Sequence, residues 1–222
     1  MPTPAELHAL RLSLQVAALG TIIGFPIALG VAWVLARTSF RGKLLLDLLI
    51  SFPLVLPPVV TGYALLLLLG RQGPLGSILH QVGVDIVFTW VAAAAAAGLV
   101  ALPLMVRSIE IALARVDSRL EMAARSLGAG PWRAFVTVTI PLASRGILAA
   151  ILLAFARGLG EFGATIVVAG NIPGSTQTLP LAIFTQLQTG DDVAALRLVL
   201  ISVLLALVAL TLHHRMARRA SA

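Results

Sequence analysis

Two oppositely charged residues, Arg157 and Glu161, stand inside a long apolar run of this sequence. On a helix they are four residues apart, so they share one face and can form an ion pair. A charged side chain at membrane depth costs at least about 2.5–3.5 kcal/mol, which favours a functional role such as lining a path. Their order is the less favourable one for the helix dipole, which indicates that helix stability is not the reason for the pair. The alternative is an ion pair that only stabilises a helix bundle.

The other polar residues offer no catalytic or metal site. His213 and His214 are adjacent, and neighbouring side chains on a helix diverge, so a metal site there is not expected. The sequence contains no G-x-x-x-x-G-K-[ST] motif and therefore has no P-loop of its own for ATP. A pair of carboxylates suited to acid–base catalysis inside the apolar runs is also missing. We therefore predict that the chain is not an enzyme and needs no cofactor.

The composition is that of an integral membrane protein. Of 222 residues, 59% are hydrophobic and only 11% are charged, and the mean hydropathy is +1.01. A soluble domain of this size would need a larger charged surface. The net charge of +7 could suggest a nucleic-acid partner. The basic residues lie at the ends of apolar runs instead of in one patch, which argues against nucleic acid. The absence of cysteine excludes disulfides and thiolate metal sites.

Five apolar runs are long enough to cross a bilayer, which takes about 20 residues each. They span residues 9–36, 46–69, 86–106, 146–168 and 195–213. The predicted fold class is an all-α integral membrane protein with five transmembrane helices in a single domain, residues 1–222. The first run is too long for the apolar part of a cleavable signal peptide and is interpreted as a retained helix.

Small residues and prolines distinguish the first three runs. The first run has a small residue at every fourth position, which allows close helix packing in lipid: Gly20, Gly24, Ala28, Ala32 and Ala36. The alanine tract of the third run, residues 92–97, also permits tight packing. The second run contains Pro53, Pro57 and Pro58, and it is the one run that prolines are expected to break. Such a break is tolerated where protein or a water-filled path surrounds it, so we predict a pore-lining segment. A kink that only shapes packing is the alternative.

The basic residues are unevenly distributed between the two ends of these runs. One side carries twelve: Arg37, Arg41, Lys43, Arg107, Arg115, Arg119, Arg125, Arg133, Arg145, Arg215, Arg218 and Arg219. The other side carries Arg11, Arg71 and Arg197. The positive-inside rule then places the N-terminus outside the cell, the C-terminus in the cytoplasm and the loop 107–145 on the cytoplasmic side.

The cytoplasmic loop contains a patterned segment, residues 121–142. Leu120, Ala123, Ala124 and Leu127 fall at helical spacing and form one narrow apolar face. Gly128 follows, where a helix commonly ends in a left-handed residue. Pro131 then suits the first turn of a second helix. The pattern predicts a helix, a glycine bend and a second helix.

This segment resembles the EAA loop of bacterial ABC-importer permeases, and we call residues 121–142 the EAA segment. Met122 stands where the family pattern has its first alanine, and Pro141 precedes Leu142 instead of following it. In the family this loop is a coupling helix that inserts into a groove on a separate ATPase subunit. The resemblance assigns the coupling role to eight residues: Glu121, Ala123, Ala124, Leu127, Gly128, Pro131, Trp132 and Pro141. An amphipathic cytoplasmic loop without a partner is the alternative.

Two further stretches, SFPLVLPPVVTGYALLLLLGRQGPLG from Ser51 and RGLGEFGA from Arg157, resemble molybdate permeases, the second also sulfate permeases. The resemblance implies a translocation path or gate formed by Pro57, Pro58, Thr61, Gly62, Arg157, Glu161 and Gly163.

The resemblance further implies a bacterial inner-membrane permease for molybdate that works as a homodimer. Its expected partners are cytoplasmic ABC ATPase subunits, a periplasmic oxyanion-binding protein and membrane lipid. Tungstate, sulfate and thiosulfate are alternative substrates. A secondary transporter or a membrane scaffold is the alternative from another class; paired broken helices in inverted repeats would favour the former.

Overall fold

The computed structural model describes residues 3–219, and the side chains of residues 3–215, as helices joined by short turns. The helices are α1 (Pro4–Arg37), α2 (Lys43–Val55), α3 (Pro58–Leu69), α4 (Gly76–Gln81), α5 (Trp90–Ala114), α6 (Ser118–Ser126), α7 (Pro131–Ala134), α8 (Ile140–Leu159), α9 (Gly163–Val168), α10 (Leu179–Thr189) and α11 (Asp192–Arg219). A π-helical turn, Phe135–Thr139, joins α7 to α8. The predicted all-α fold is confirmed.

Four helical stretches are long and apolar enough to cross a membrane, namely α1, α5, α11 and the continuous stretch Pro131–Leu159. A fifth crossing results if the bent pair α2 and α3 counts as one span. This count agrees with the five runs of the sequence. Of the basic C-terminal tail used to predict sidedness, the side chains of Arg218 and Arg219 lie outside the described part.

Helices α1 and α5 form the centre of the bundle, and their backbones touch at two glycines. A Cβ atom added to Gly20 would lie 2.6 Å from the carbonyl oxygen of Ala94 and 2.8 Å from the nitrogen of Gly98. Ala28 and Ala32 of the same stripe are fully buried, as is most of the alanine tract of α5. The predicted close packing of these small residues is confirmed, and it allows backbone contact between the two helices.

The second apolar run is broken, as the prolines predict. Helix α2 ends at Val55, α3 begins at Pro58, and the two axes differ by 112°. Proline has no N–H for the helical ladder, and its ring disfavours a helical conformation at the preceding residue. None of the residues of α2 is buried within this chain, whereas α3 buries Thr61, Gly62 and Leu65.

The fourth apolar run, predicted as one span over 146–168, is also broken, and that part of the prediction needs correction. Helix α8 ends at Leu159, residues 160–162 form a turn, and the short helix α9 follows. Glycines at 158, 160 and 163 weaken helical continuity here, and a hydropathy pattern does not detect such a break.

The helices also extend beyond the predicted membrane limits. Helix α5 continues to Ala114, eight residues past the predicted end at 106, and the helical stretch from Pro131 begins well inside the predicted loop 107–145. Hydropathy locates the apolar part of a helix, but its polar continuation still satisfies its own backbone hydrogen bonds. The loop is therefore largely helical.

At the end of the bundle opposite the loop 107–145, polar contacts connect the ends of the helices. The carboxylate of Glu6, buried in the first turn of α1, accepts a hydrogen bond from Arg197 of α11 at 2.9 Å. The hydroxyl of Ser13 accepts a bond from the backbone N–H of Leu179 at the start of α10. In the loop before α5, Arg71 and Asp85 form a two-point ion pair.

Candidate functional site: the EAA segment and the two helix breaks

The EAA segment forms a helix, a glycine turn and a second helix. Asp117 caps α6, because its carboxylate accepts a hydrogen bond from the N–H of Arg119 at 2.9 Å. Gly128 has a φ angle of +92°, which a residue with a Cβ atom rarely adopts. Pro131 occupies the first turn of α7, where its missing N–H costs no hydrogen bond. The conformation of all three residues follows from local sequence.

Several large apolar residues in and next to this segment are exposed. Leu127 is 89% exposed and Trp132 is 75% exposed, while Leu120 and Met122 are about half exposed. Such a cluster of exposed large apolar side chains, next to exposed arginines, is typical of a protein-binding surface. Of the predicted apolar face, Leu120, Ala123 and Leu127 are exposed and Ala124 is partly buried.

Arg37, the last residue of α1, makes polar contacts with the EAA segment and with the turn before α6. One of its terminal nitrogens lies 3.6 Å from a carboxylate oxygen of Glu121 and donates a hydrogen bond to the backbone oxygen of Val116 at 3.3 Å. Both charged side chains are about four-fifths buried. Glu121 thus makes an ionic contact within the chain and is less accessible than its neighbours. In the sequence, Arg37 was used only as one of the basic residues that predict the orientation of the chain. Its contact with Glu121 joins residues 84 positions apart, and such a contact leaves no pattern in the local sequence.

Aromatic side chains form a second attachment. Phe135 is buried and lies edge-on to Trp33 of α1, with ring centroids 6.0 Å apart. Its ring also lies 5.6 Å from that of Trp132. Aromatic pairs at these distances contribute roughly 0.5–1.5 kcal/mol beyond burial. The end of α1 is therefore joined to the EAA segment by both an ionic and an aromatic contact.

Pro141 lies inside a continuous helical stretch without ending it. The π-helical turn directly before it contains one residue more than an α turn, and the N–H of Ile140 bonds the carbonyl of Phe135, five residues earlier. A π turn moves carbonyls that the proline ring would otherwise meet. Pro141 itself is exposed.

The two helix breaks lie against each other. A Cβ atom on Gly62 of α3 would lie 2.6 Å from the carbonyl oxygen of Ala164 in α9. Likewise, a Cβ atom on Gly163 would lie 3.0 Å from the side chain of Pro58. The structure thus brings Pro58, Gly62 and Gly163, three residues of the predicted path, into one contact between α3 and α9. Pro57 is exposed at the bend itself.

Thr61, another predicted path residue, is buried in the same region. Its hydroxyl finds no hydrogen-bond partner among the described residues, and the same holds for Thr165 of α9. Buried hydroxyls are normally paired, so two unpaired ones on adjoining helices leave polar groups available at this contact; Thr139 and Thr178 are unpaired elsewhere in the described part of the chain.

Arg157 and Glu161 form an ion pair with a nitrogen–oxygen distance of 3.0 Å. The second carboxylate oxygen of Glu161 accepts a hydrogen bond from the N–H of Ala164 at 2.9 Å. The Glu161 side chain is almost fully buried, whereas that of Arg157 is 31% exposed. The pair therefore connects the end of α8 to the start of α9.

The position of the break corrects the interpretation of this pair. Because α8 ends at Leu159, the arginine lies in the last turn of one helix and the glutamate precedes the first turn of the next. Cations are favourable at helix C-termini and anions at N-termini, so the dipoles stabilise both charges. Arg157 and Glu161 were predicted to stand in an unfavourable order within one helix. They lie at the ends of two helices instead, so that prediction was wrong and a stabilising role gains support.

Arg107 is a further polar centre that the sequence analysis did not single out. Its guanidinium lies 2.6 Å from Asp47 of α2 and 3.1 Å from Glu110, and it donates a hydrogen bond to the hydroxyl of Ser51 at 2.9 Å. Arg107 is the main polar link from α5 to α2. Helix α2 buries none of its own residues within the chain. The feature of the sequence that could have indicated this ion pair is Asp47, a charged residue near the start of an apolar run.

The described chain is thus an all-helical bundle with several helices long enough to cross a membrane, two apposed helix breaks and an exposed helical segment at one end. Residues 20–222 match the family model described as the inner membrane component of binding-protein-dependent transport systems. The chain belongs to this family of transport components, which are not enzymes.

Individual relatives are similar over nearly the whole chain. A molybdenum transport system permease protein of Escherichia coli strain K12 is 48% identical over 218 residues, covering 97% of this chain and 95% of the relative. A protein of the same description from Mycobacterium tuberculosis is 43% identical, covering 94% and 79%. A probable sulfate transport system permease protein of Chlorokybus atmophyticus is 36% identical, covering 86% and 67%.

Solved structures share the fold. An amino acid ABC transporter matches with a TM-score of 0.66 and 24% identity, covering 97% of this chain and 94% of that one. A bacterial ABC transporter that imports alginate matches with a TM-score of 0.72 and 16% identity, covering 98% and 80%. The fold is that of ABC type I importer permeases.

Proposed function

We propose that this chain is the membrane subunit of an ATP-driven importer for molybdate. The observation that carries the proposal is the 48% identity, over 97% of the chain, to a molybdenum transport permease. The sulfate permease relative is less similar, at 36% over 86% of the chain, so sulfate is the second candidate. Tungstate and thiosulfate belong to the same group of oxyanions.

The working unit is a homodimer with the path between the subunits. One chain leaves large apolar surfaces on the bent pair, where Leu49 is 61%, Phe52 59% and Tyr63 55% exposed. Helix α2 buries none of its residues within the chain, which is expected of a helix that packs against something else. The spans and the loop 107–145 together form one permease domain, with the N-terminus outside and the C-terminus in the cytoplasm.

ATP is hydrolysed on separate subunits that bind the EAA segment. The sequence has no P-loop, while Leu127 and Trp132 present the exposed apolar surface that such docking needs. A binding protein delivers the oxyanion on the opposite side. Closure of the ATPase dimer moves the EAA segments together and turns the path outward, and hydrolysis returns it inward.

The gate of the path is the contact between α3 and α9. Thr61 and Gly62 on one side, and Glu161 and Gly163 on the other, lie where two helix breaks meet. Broken helices within the membrane free backbone groups that can bind an ion. The guanidinium of Arg157, paired with Glu161 and on a side chain that is 31% exposed, lies close to this contact.

The test is uptake by the complete transporter reconstituted in liposomes with its ATPase and binding protein. Labelled molybdate should enter only with ATP, and unlabelled molybdate or tungstate should compete better than sulfate. ATP-dependent sulfate uptake that molybdate does not inhibit would contradict the proposed substrate. Uptake driven by an ion gradient without ATP would contradict the transporter class.

A further inference from the structure

A cleft of about 730 Å³ opens beside the EAA segment, between α5, α8 and α11. Its walls are apolar and include Ile111 and Leu142, which are 55% and 57% exposed. Leu120 of α6 also lines it. Apolar side chains that remain this exposed in a cleft are suited to an apolar occupant.

The rim of the same cleft is basic. Arg115, His213 and His214 all line it. The backbone N–H of Arg115 bonds the carbonyl of Ile111, but its guanidinium has no hydrogen-bond or ion-pair partner among the residues whose side chains are described. The Nδ1 atom of His213 lies 2.9 Å from the backbone oxygen of Ala149 and donates to it, so Nε2 can donate to an anion only in the imidazolium form of the ring.

One acidic residue, Asp117, also lines the cleft. Its carboxylate already accepts the N–H of Arg119 as the cap of α6. The charge is thus directed at the helix end, where the dipole compensates it. The rim therefore retains an unpaired arginine and two histidines for an anionic group.

We propose that this cleft binds an anionic phospholipid of the cytoplasmic leaflet. The phosphate lies at Arg115 and the two histidines, and an acyl chain runs along Ile111 and Leu142. The inference rests on the proposed orientation of the chain, because basic residues beyond the apolar runs then lie at headgroup depth. A basic pocket between spanning helices on the cytoplasmic side is suited to an anionic headgroup. A free inorganic anion would leave the apolar walls without a partner.

Binding at this place would also affect the EAA segment. Asp117 and Leu120, the cap and the first turn of α6, belong to the lining of the cleft. A lipid held there would contact the first turn of the helix proposed to bind the ATPase.

The test uses the complete transporter purified in detergent and examined by native mass spectrometry. Phosphatidylglycerol and phosphatidylcholine are offered in equal amounts, and the bound fraction of each is measured. Phosphatidylglycerol should be retained preferentially, and Arg115→Gln should weaken its binding about fivefold, the effect expected of one basic residue near a lipid surface. Arg41→Gln is the matched control, since Arg41 is an exposed arginine on the same proposed side but does not line the cleft.

If Arg115→Gln fails to fold, a second variant, His213→Gln with His214→Gln, replaces it. This variant should fold, because glutamine at position 213 can still donate to the Ala149 oxygen. Equal losses in the Arg115 and Arg41 variants would overturn the proposal, since they would indicate general surface charge. Displacement of the lipid by millimolar inorganic phosphate, or equal retention of both lipids, would overturn it too. Molybdate uptake by the same purified transporter after reconstitution in liposomes separates this failure from a failure of the proposed function.

Discussion

The close approach of α3 to α9 gives a sharp test of the two apposed breaks. Replacing Gly62 by alanine would place a Cβ atom 2.6 Å from the Ala164 oxygen, 2.8 Å from its Cα atom and 3.0 Å from the Val167 Cβ atom. An ordinary contact begins near 3.4 Å. The α9 backbone must therefore move by about 0.8 Å, because backbone atoms cannot rotate away as a side chain would.

The expected cost can be isolated with a control. Gly30 of α1 also lies in a helix, but a Cβ atom there would have no neighbour within 4 Å. Both substitutions gain the same helix propensity, about 1 kcal/mol, so their difference reports the clash alone. Overpacking of this kind costs about 1–3 kcal/mol. We expect Gly62→Ala to be less stable than Gly30→Ala by about 2 kcal/mol.

Thermal unfolding of the purified transporter, followed by uptake per folded molecule, measures both consequences. Gly62→Ala should unfold at a lower temperature than Gly30→Ala and should transport less, since α9 begins with Gly163 of the proposed gate. Equal stability and equal uptake of the two variants would refute the contact between α3 and α9, and with it the proposed gate.

Three further perturbations test other parts of the structure. Gly128→Val should reduce coupled uptake more than Gly128→Ala while leaving membrane insertion unchanged, because a β-branched residue resists positive φ; normal uptake by the valine variant would exclude the bend from the mechanism. Glu161→Gln should strand Arg157 and lower the folded yield, whereas Arg157→Met with Glu161→Leu should fold well but hydrolyse ATP without substrate control; full coupled uptake by the double variant would leave the pair only a structural role. The hydrogen bond from Arg71 holds the pKa of Asp85 below its usual value, so this loop contact stabilises at neutral pH and is lost as the pH falls through that lowered pKa. Asp85→Asn should remove this acid-dependent loosening in hydrogen exchange of the loop, and an unchanged pH profile would contradict the pairing.

Local chemistry explains why much of the fold could be predicted. Small residues every fourth position in α1 predicted the face that α5 covers, since spacing alone decides which side chains share a helix face. The conformation of Gly128 and the bend at Pro57 follow from backbone sterics within a few residues. These features need no knowledge of the rest of the chain.

Contacts between distant parts of the chain could not be predicted in the same way. The spacing of Arg157 and Glu161 fits a continuous helix and a turn equally well, so the break between them was missed. Arg37 meets Glu121, and Arg107 meets Asp47, only because the bundle brings their helices together. Sequence gives the charge of such residues but not their partners, and hydropathy does not show where a helix ends.

The π-helical turn at Phe135–Thr139 sets the direction in which the EAA segment faces. One residue of an α-helix corresponds to about 100° of rotation and 1.5 Å of rise. Deleting a single residue here would convert the turn to regular α-helix and would swing Trp132 by about that angle around the axis of α8. The length of this turn, measured in residues, therefore determines which side of the EAA segment faces the proposed ATPase subunit. An insertion or deletion at this point would therefore rotate the EAA segment relative to the membrane-spanning part of the helix.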